Sequence, residues 1–158
     1  MPRAADARTV ARVTEQLKLD DFLPYRLSIA SNRVSDAVAG TYRALFGLRI
    51  SEWRLVAVLA ESEGLSQQAL GARTQMDKVT VSRAAIALVD RGLVARAANP
   101  SDQRSHNLAL TEAGRALYAE VAPKALEIER RLFGGFDASD LERFRAMLAR
   151  IEDAVDRL

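Results

Sequence analysis

Four residues on one short stretch have the chemistry of a nucleic-acid reader. Lys78, Thr80, Val81 and Arg83 lie within the run Asp77–Gly92 and combine a cation, a hydroxyl, a small apolar group and a guanidinium. Such a set can meet phosphate oxygens, hydrogen-bond to base edges and touch a thymine methyl in a major groove. It needs a rigid support. Asp77 offers a side-chain acceptor to the open amides of a helical first turn, and Gly92 can take the left-handed conformation that ends a helix. Val79, Ser82, Ile86 and Val89 recur between them at helical spacing, which predicts a stripe facing a core. A polar first turn on an amphipathic helix is ordinarily just a solvated face. The flanking elements therefore decide.

Upstream, Leu65–Arg73 reads as a short helix, and Thr74-Gln75-Met76 leaves room for only a tight turn before the next one. Downstream, Leu93–Ala98 and Ser105–Leu110 read as two strands, joined by the turn chemistry of Asn99-Pro100-Ser101-Asp102. Helix, tight turn, helix and β-hairpin make a winged helix-turn-helix, whose second helix enters a groove. From Ser66 to Leu110 the basic residues are Arg73, Lys78, Arg83, Arg91, Arg96 and Arg104, and the acids are Asp77, Asp90 and Asp102. The acids fall mostly where a cap or a turn wants them, which leaves the cations to face phosphate.

Bulk properties narrow the classes. A chain of 158 residues with 49% hydrophobic content can bury one good core. There is no cysteine, which excludes disulfides, thiol redox sensing and cysteine-bound zinc, and the single histidine, His106, excludes a multi-histidine metal site. No metal and no cofactor is expected. No stretch approaches a membrane span, and Met1–Leu19 has no signal-peptide core, so the expected location is the cytoplasm. A net charge of only +2 means that a basic surface must come from placement of charge. Enzymatic chemistry lacks its raw material: there is no thiol nucleophile and no glycine-rich phosphate loop.

In chain order, Val10, Val13 and Leu17 suggest a short amphipathic helix. Pro24 suits the first turn of a long helix ending before Gly47, with Leu27, Ala30, Val34, Val38, Thr41 and Leu45 on its apolar side. Ser51 is the expected cap of the next helix, whose Trp53, Val56, Ala57 and Ala60 pack inward and which Gly64 closes. After the winged unit, Thr111-Glu112 opens a long helix with Leu117, Val121, Ala125, Ile128 and Leu132 on one face and Pro123 inside it. Gly134-Gly135 breaks the chain. Ser139 and Glu142 form a capping box for a last helix striped by Leu141, Phe144, Leu148, Ile151 and Val155. The expected fold is mostly α, a winged helix-turn-helix with a two-stranded β wing at 51–110. It is flanked by N-terminal dimerisation helices in 1–50 and C-terminal ones in 111–158, all within one continuous domain. The terminal helices are too apolar to be covered by a winged unit of ~70 residues, which favours a two-fold dimer. Such a dimer would present two recognition helices about 34–36 Å apart, the spacing of successive major grooves. The alternative is a helical interaction module that does not bind DNA. It would explain the long helices but not a hairpin-tip arginine.

These features resemble the MarR family of bacterial transcriptional regulators. The resemblance runs from the Pro24 helix to the C-terminus. It is most specific at Asp102-Gln-Arg104-Ser105 and Leu108-Ala-Leu-Thr-Glu-Ala-Gly114, which look like the family's wing signature and the opening of its fifth helix. Ser51-Glu-Trp-Arg-Leu and Met76-Asp-Lys-Val-Thr-Val-Ser-Arg83 resemble its second and recognition helices. The resemblance implies a homodimer that regulates transcription, most simply as a repressor, from pseudo-palindromic operators, released in many members by a small, often aromatic molecule. It implies that Arg104 enters the minor groove, held by Asp102 and flanked by Ser105, and that Lys78, Thr80, Val81 and Arg83 meet the major groove. Asp77 suits a helix cap better than a base contact. Ser66, Gln67 and Gln68 would offer donors to phosphate at a helix start, with Gln75 in the turn also on the DNA side. His106 is an ordinary wing-strand residue or a phosphate contact. Family pockets lie between the dimerising helices and the winged unit, where Tyr25, Ser28, Asn32, Arg33, Trp53, Arg54 and Tyr118 are the candidate lining. Each also has a plainer role, Trp53 in the core and Arg33 or Arg54 in surface ion pairs.

Overall fold

The computed structural model describes residues 16–98 and 106–158. It contains α1 (Leu23–Phe46), α2 (Ile50–Ala60), β1 (Leu65–Ser66), α3 (Gln67–Thr74), α4 (Lys78–Asp90), β2 (Val94–Ala98), β3 (His106–Leu110), α5 (Glu112–Phe133) and α6 (Ala138–Val155). This is the mostly helical winged helix-turn-helix expected from the sequence. The turn Asn99–Asp102 and the helix suggested by Val10 and Val13 lie outside the described residues. Two compact units part between Ser35 and Asp36, inside α1.

In the first unit, the Asp21 and Phe22 amides bond to the Lys18 and Leu19 carbonyls and turn the chain into α1. Pro24 is the second residue of α1, where a missing N–H costs nothing. Of the apolar side assigned to this helix, Leu27, Val34 and Leu45 are exposed, whereas Val38 packs against the core and Thr41 is half-buried.

The second unit holds the core. Its sheet has the order β1-β3-β2 and is antiparallel throughout, with Leu65 opposite Leu108 and Val94 opposite Leu110. β1 was expected to be the head of a helix. A two-residue strand carries no periodicity of its own, and only its partner β3 makes it one. Leu55, Val56 and Leu59 of α2, Leu70 of α3, Leu88 of α4 and Leu108 of β3 are almost fully buried around one centre.

The face that α4 turns inward corrects the sequence reading. Val81, Ala84, Ala85 and Leu88 are buried, whereas Val79 is 57% exposed and Ile86 46% exposed. Both stripes have helical spacing. The one with two alanines wins because α4 must approach α2 and β2 closely, and small side chains permit that. Val81 was expected in the groove; its side chain is 1% exposed and belongs to the core.

Caps set the remaining boundaries. α5 starts where expected, with Thr111 Oγ1 accepting the Gly114 amide at 3.0 Å and donating to the Gly92 carbonyl at 2.7 Å. α6 is capped not by Ser139 but by Asp137, whose carboxylate takes the Asp140 amide at 2.8 Å and the Ser139 hydroxyl at 2.9 Å. α2 begins one residue before Ser51, with Arg49 as its flanking residue, and ends at Ala60 well short of Gly64. Glu52 reaches back to the Arg49 amide at 2.9 Å. A guanidinium has no acceptor to return the bond, so this box is one-sided. Pro123 leaves α5 one element from Glu112 to Phe133.

Candidate nucleic-acid interface and aromatic cluster

Each helix of the motif is capped at its start by the residue that precedes it. Ser66 Oγ accepts the Ala69 amide at 3.2 Å and opens α3, and Asp77 opens α4. Asp77 spends both carboxylate oxygens on one residue, taking the Thr80 amide at 2.9 Å and the Thr80 hydroxyl at 2.6 Å. The Thr80 hydroxyl and amide hold its carboxyl below the usual carboxylate range. It therefore acts as a cap. Thr80 keeps free lone pairs but has given its proton to Asp77, so toward a base it can only accept.

The turn between the helices rests on Gln75, which adopts the left-handed conformation at φ 54° and donates its side-chain amide to the Ala72 carbonyl at 2.8 Å. A side chain pays roughly 1–2 kcal/mol for that conformation, so the turn is tight at a cost. A groove of about 400 Å³ runs between the two helix starts, lined by Gln67, Gln68, Gly71, Ala72, Lys78 and Val81. Lys78, Val79, Arg83 and Ile86 stand exposed on the outer face of α4, and Gln68 and Gln75 on α3 and its end. His106 is exposed at the start of β3. Asp102, Arg104 and Ser105 lie outside the described residues.

Two of the cations counted toward a phosphate-facing surface are engaged elsewhere. Arg73 pairs with Glu61 at 2.7 Å, and Arg91 donates to the carbonyls of Phe46 and Gly47. Lys78, Arg83 and Arg96 remain exposed without an ion pair among the described residues. Val79 and Ile86 were missed as surface residues because the reading by period chose the wrong stripe. The run Val81-Ala84-Ala85-Leu88, at spacings 3, 1 and 3, was the available signal.

Of the candidate ligand residues, the structure brings Trp53 and Tyr118 together, stacked with centroids 5.8 Å apart and 15° between planes. Tyr42, which the sequence reading missed, completes the cluster, its ring 5.2 Å from Trp53. Arg54 is exposed, and Tyr25, Ser28, Asn32 and Arg33 are exposed on the first half of α1. Burial pushes the Tyr42 phenol up, with the Trp53 side chain pulling weakly the other way. A phenol raised in the folded state stabilises the fold fully below its ordinary value near 10, and that stability is lost as pH climbs through the raised value. An alkaline absorbance titration should therefore contain a late tyrosinate step that disappears in Tyr42→Phe. A curve unchanged by Tyr42→Phe would contradict this placement.

Among the described residues no group of His, Cys, Asp and Glu side chains could hold a metal ion. No helix in them is long and apolar enough to cross a membrane. The order of helices, turn and β-hairpin defines a winged helix-turn-helix protein. A MarR family model matches residues 46–105. A MarR-family transcriptional regulator from Silicibacter pomeroyi is 30% identical, over 85% of this chain and 90% of that one, with a TM-score of 0.72. CouR from Rhodococcus jostii RHA1, solved with p-coumaroyl-CoA bound, is 28% identical over 86% of this chain and 96% of its own, with a TM-score of 0.75. The homoprotocatechuate degradative operon repressor of Escherichia coli is 26% identical, over 77% of this chain and 84% of its own. The chain belongs to the MarR family of transcriptional regulators and is not an enzyme.

Proposed function

We propose that this regulator binds pseudo-palindromic operator DNA as a homodimer and represses transcription until a small aromatic acid, or its thioester, releases it. The observation that carries the DNA reading is the outer face of α4. A cation, an apolar side chain and a guanidinium, Lys78, Val79 and Arg83, stand exposed at its start beside the capped start of α3. Val79 takes the place first assigned to Val81, offering an apolar contact to a thymine methyl. Lys78 and Arg83 meet phosphate or guanine edges, Gln67 and Gln68 meet phosphate, and Arg104 enters the minor groove, where a narrow negative cleft favours a guanidinium.

Electrophoretic mobility shift of the DNA upstream of its own gene tests the reading. Wild type should shift it, and Arg104→Ala should weaken binding by about 1–3 kcal/mol with melting temperature unchanged. Equal affinity in the two proteins would remove Arg104 from the site.

The aromatic effector is supported by the Tyr42–Trp53–Tyr118 cluster. The aromatic thioester bound to CouR and the aromatic catabolic operon controlled by the Escherichia coli repressor point the same way. A ligand can release DNA only by binding one geometry of the protein better than the other. Titrating benzoates, hydroxycinnamates and their thioesters should quench the single tryptophan, Trp53. The active compound should weaken operator binding about 5–150-fold, and operator should weaken its binding by the same factor. If no compound does both, the effector reading fails while the DNA reading stands.

A further inference from the structure

Arg91 is the first residue beyond α4 and lies at the opposite end of that helix from the residues that face DNA. Its guanidinium reaches back 44 and 45 residues, donating from Nη1 to the Gly47 carbonyl and from Nη2 to the Phe46 carbonyl, each at 3.2 Å. Nη1 is also 3.8 Å from Glu52 Oε2. Glu52 is the one buried charged residue among those described, and the same oxygen takes the Arg49 amide. One side chain thus joins the last carbonyl of α1 and the one just after it, the first turn of α2 and the end of α4. The chemistry suits arginine in particular. Helix-end carbonyls carry partial negative charge, and a planar fork reaches two of them from two separate nitrogens, where lysine offers only one.

The consequence is geometric. α4 has 13 residues, so its first turn lies roughly 20 Å from this joint at ~1.5 Å per residue. A tilt of about 10° at the joint would swing Lys78 and Val79 by roughly 3 Å, far outside the few tenths of an ångström that a hydrogen bond to a base tolerates. We propose that Arg91 is a positioning residue, which sets the angle at which α4 meets DNA by pinning the far end of that helix to the α1–α2 corner. This rests on the DNA-binding reading above. It also reassigns a cation that charge counting would place on phosphate.

Two measurements test it. Operator affinity is followed against salt concentration for wild type, Arg91→Met and Arg91→Lys. A pin predicts that both variants lose affinity, by roughly 3–30-fold. The slope of log affinity against log salt should stay unchanged, because no phosphate contact is lost. A phosphate contact would instead lower that slope by about 0.9 in Arg91→Met and be rescued by lysine; that result, or wild-type affinity in both variants, overturns the proposal. The second measurement needs no DNA. The chain has no cysteine, so spin labels on Ala44→Cys and Ile86→Cys, both exposed positions, report the α1–α4 distance in one labelled chain diluted with unlabelled protein. The distribution should broaden or shift in Arg91→Met and in Arg91→Lys. An unchanged distribution overturns the pin whatever the DNA data say. A changed distribution in a protein that binds no operator supports the pin and strikes the DNA reading alone.

Discussion

Gly114→Ala will destabilise the fold by roughly 2–4 kcal/mol, from overpacking together with partial loss of a helix cap. Gly114 is buried in the first turn of α5. A methyl group there would run into the Leu93 carbonyl oxygen, with the Leu93 carbonyl carbon at 3.1 Å and Leu110 Cδ2 at 3.2 Å. The obstacle is backbone, so no rotamer change removes it. The same Leu93 carbonyl accepts the Thr111 amide at 3.1 Å, and Thr111 caps α5 through the Gly114 amide. Moving either partner loosens the joint between the end of α4, the wing and α5. For a chain of this size the melting temperature should fall by roughly 5–15 °C. Gly135→Ala is the matched control, since nothing lies within 4 Å of its added carbon. A Gly114→Ala protein that melts with wild type would mean that α5 does not approach Leu93 this closely.

Leu148→Asp will separate the proposed homodimer. α6 buries no residue in the single chain, and Phe144, Met147, Ile151 and Val155 are exposed at 41%, 51%, 43% and 61%. A cavity of about 710 Å³ opens between the end of α5 and α6, with Phe133, Phe136, Leu141, Phe144 and Leu148 in its wall. An amphipathic helix with an uncovered apolar face of this extent calls for a partner. A carboxylate at Leu148 would have to enter that partner's apolar surface unpaired, at a cost of several kcal/mol. Sedimentation at micromolar concentration should give a dimer for wild type and a monomer or aggregate for the variant. Wild type sedimenting as a monomer would refute the assembly, and the paired-groove mode of operator binding with it.

What the sequence by itself determined is what short-range chemistry determines. Asp77, Gly92 and Thr111 mark helix ends because a cap is a bond between residues two or three apart, and glycine takes a positive φ without the cost that Gln75 bears. The tight turn at Thr74–Met76 and the two strands after Gly92 followed in the same way. Together they were enough for the winged motif. Ser139 failed as a cap because Asp137, two residues earlier, offers a better acceptor to the same turn.

The tertiary structure decided matters in which two local answers were equally good or in which the partner was far away in the chain. α4 carries two apolar stripes, and only packing against α2 and β2 selects Val81, Ala84, Ala85 and Leu88 and turns Val79 outward. Leu65 and Ser66 are a strand only because β3 lies beside them. Tyr42 joins Trp53 and Tyr118 from three different helices, so no spacing in the sequence announces the cluster. Arg91 reads as one more surface cation until the chain brings the end of α1 within its reach, 44 residues back. Charge can be counted along a sequence, but whether a guanidinium faces phosphate or its own backbone is settled by which carbonyls the fold leaves open beside it.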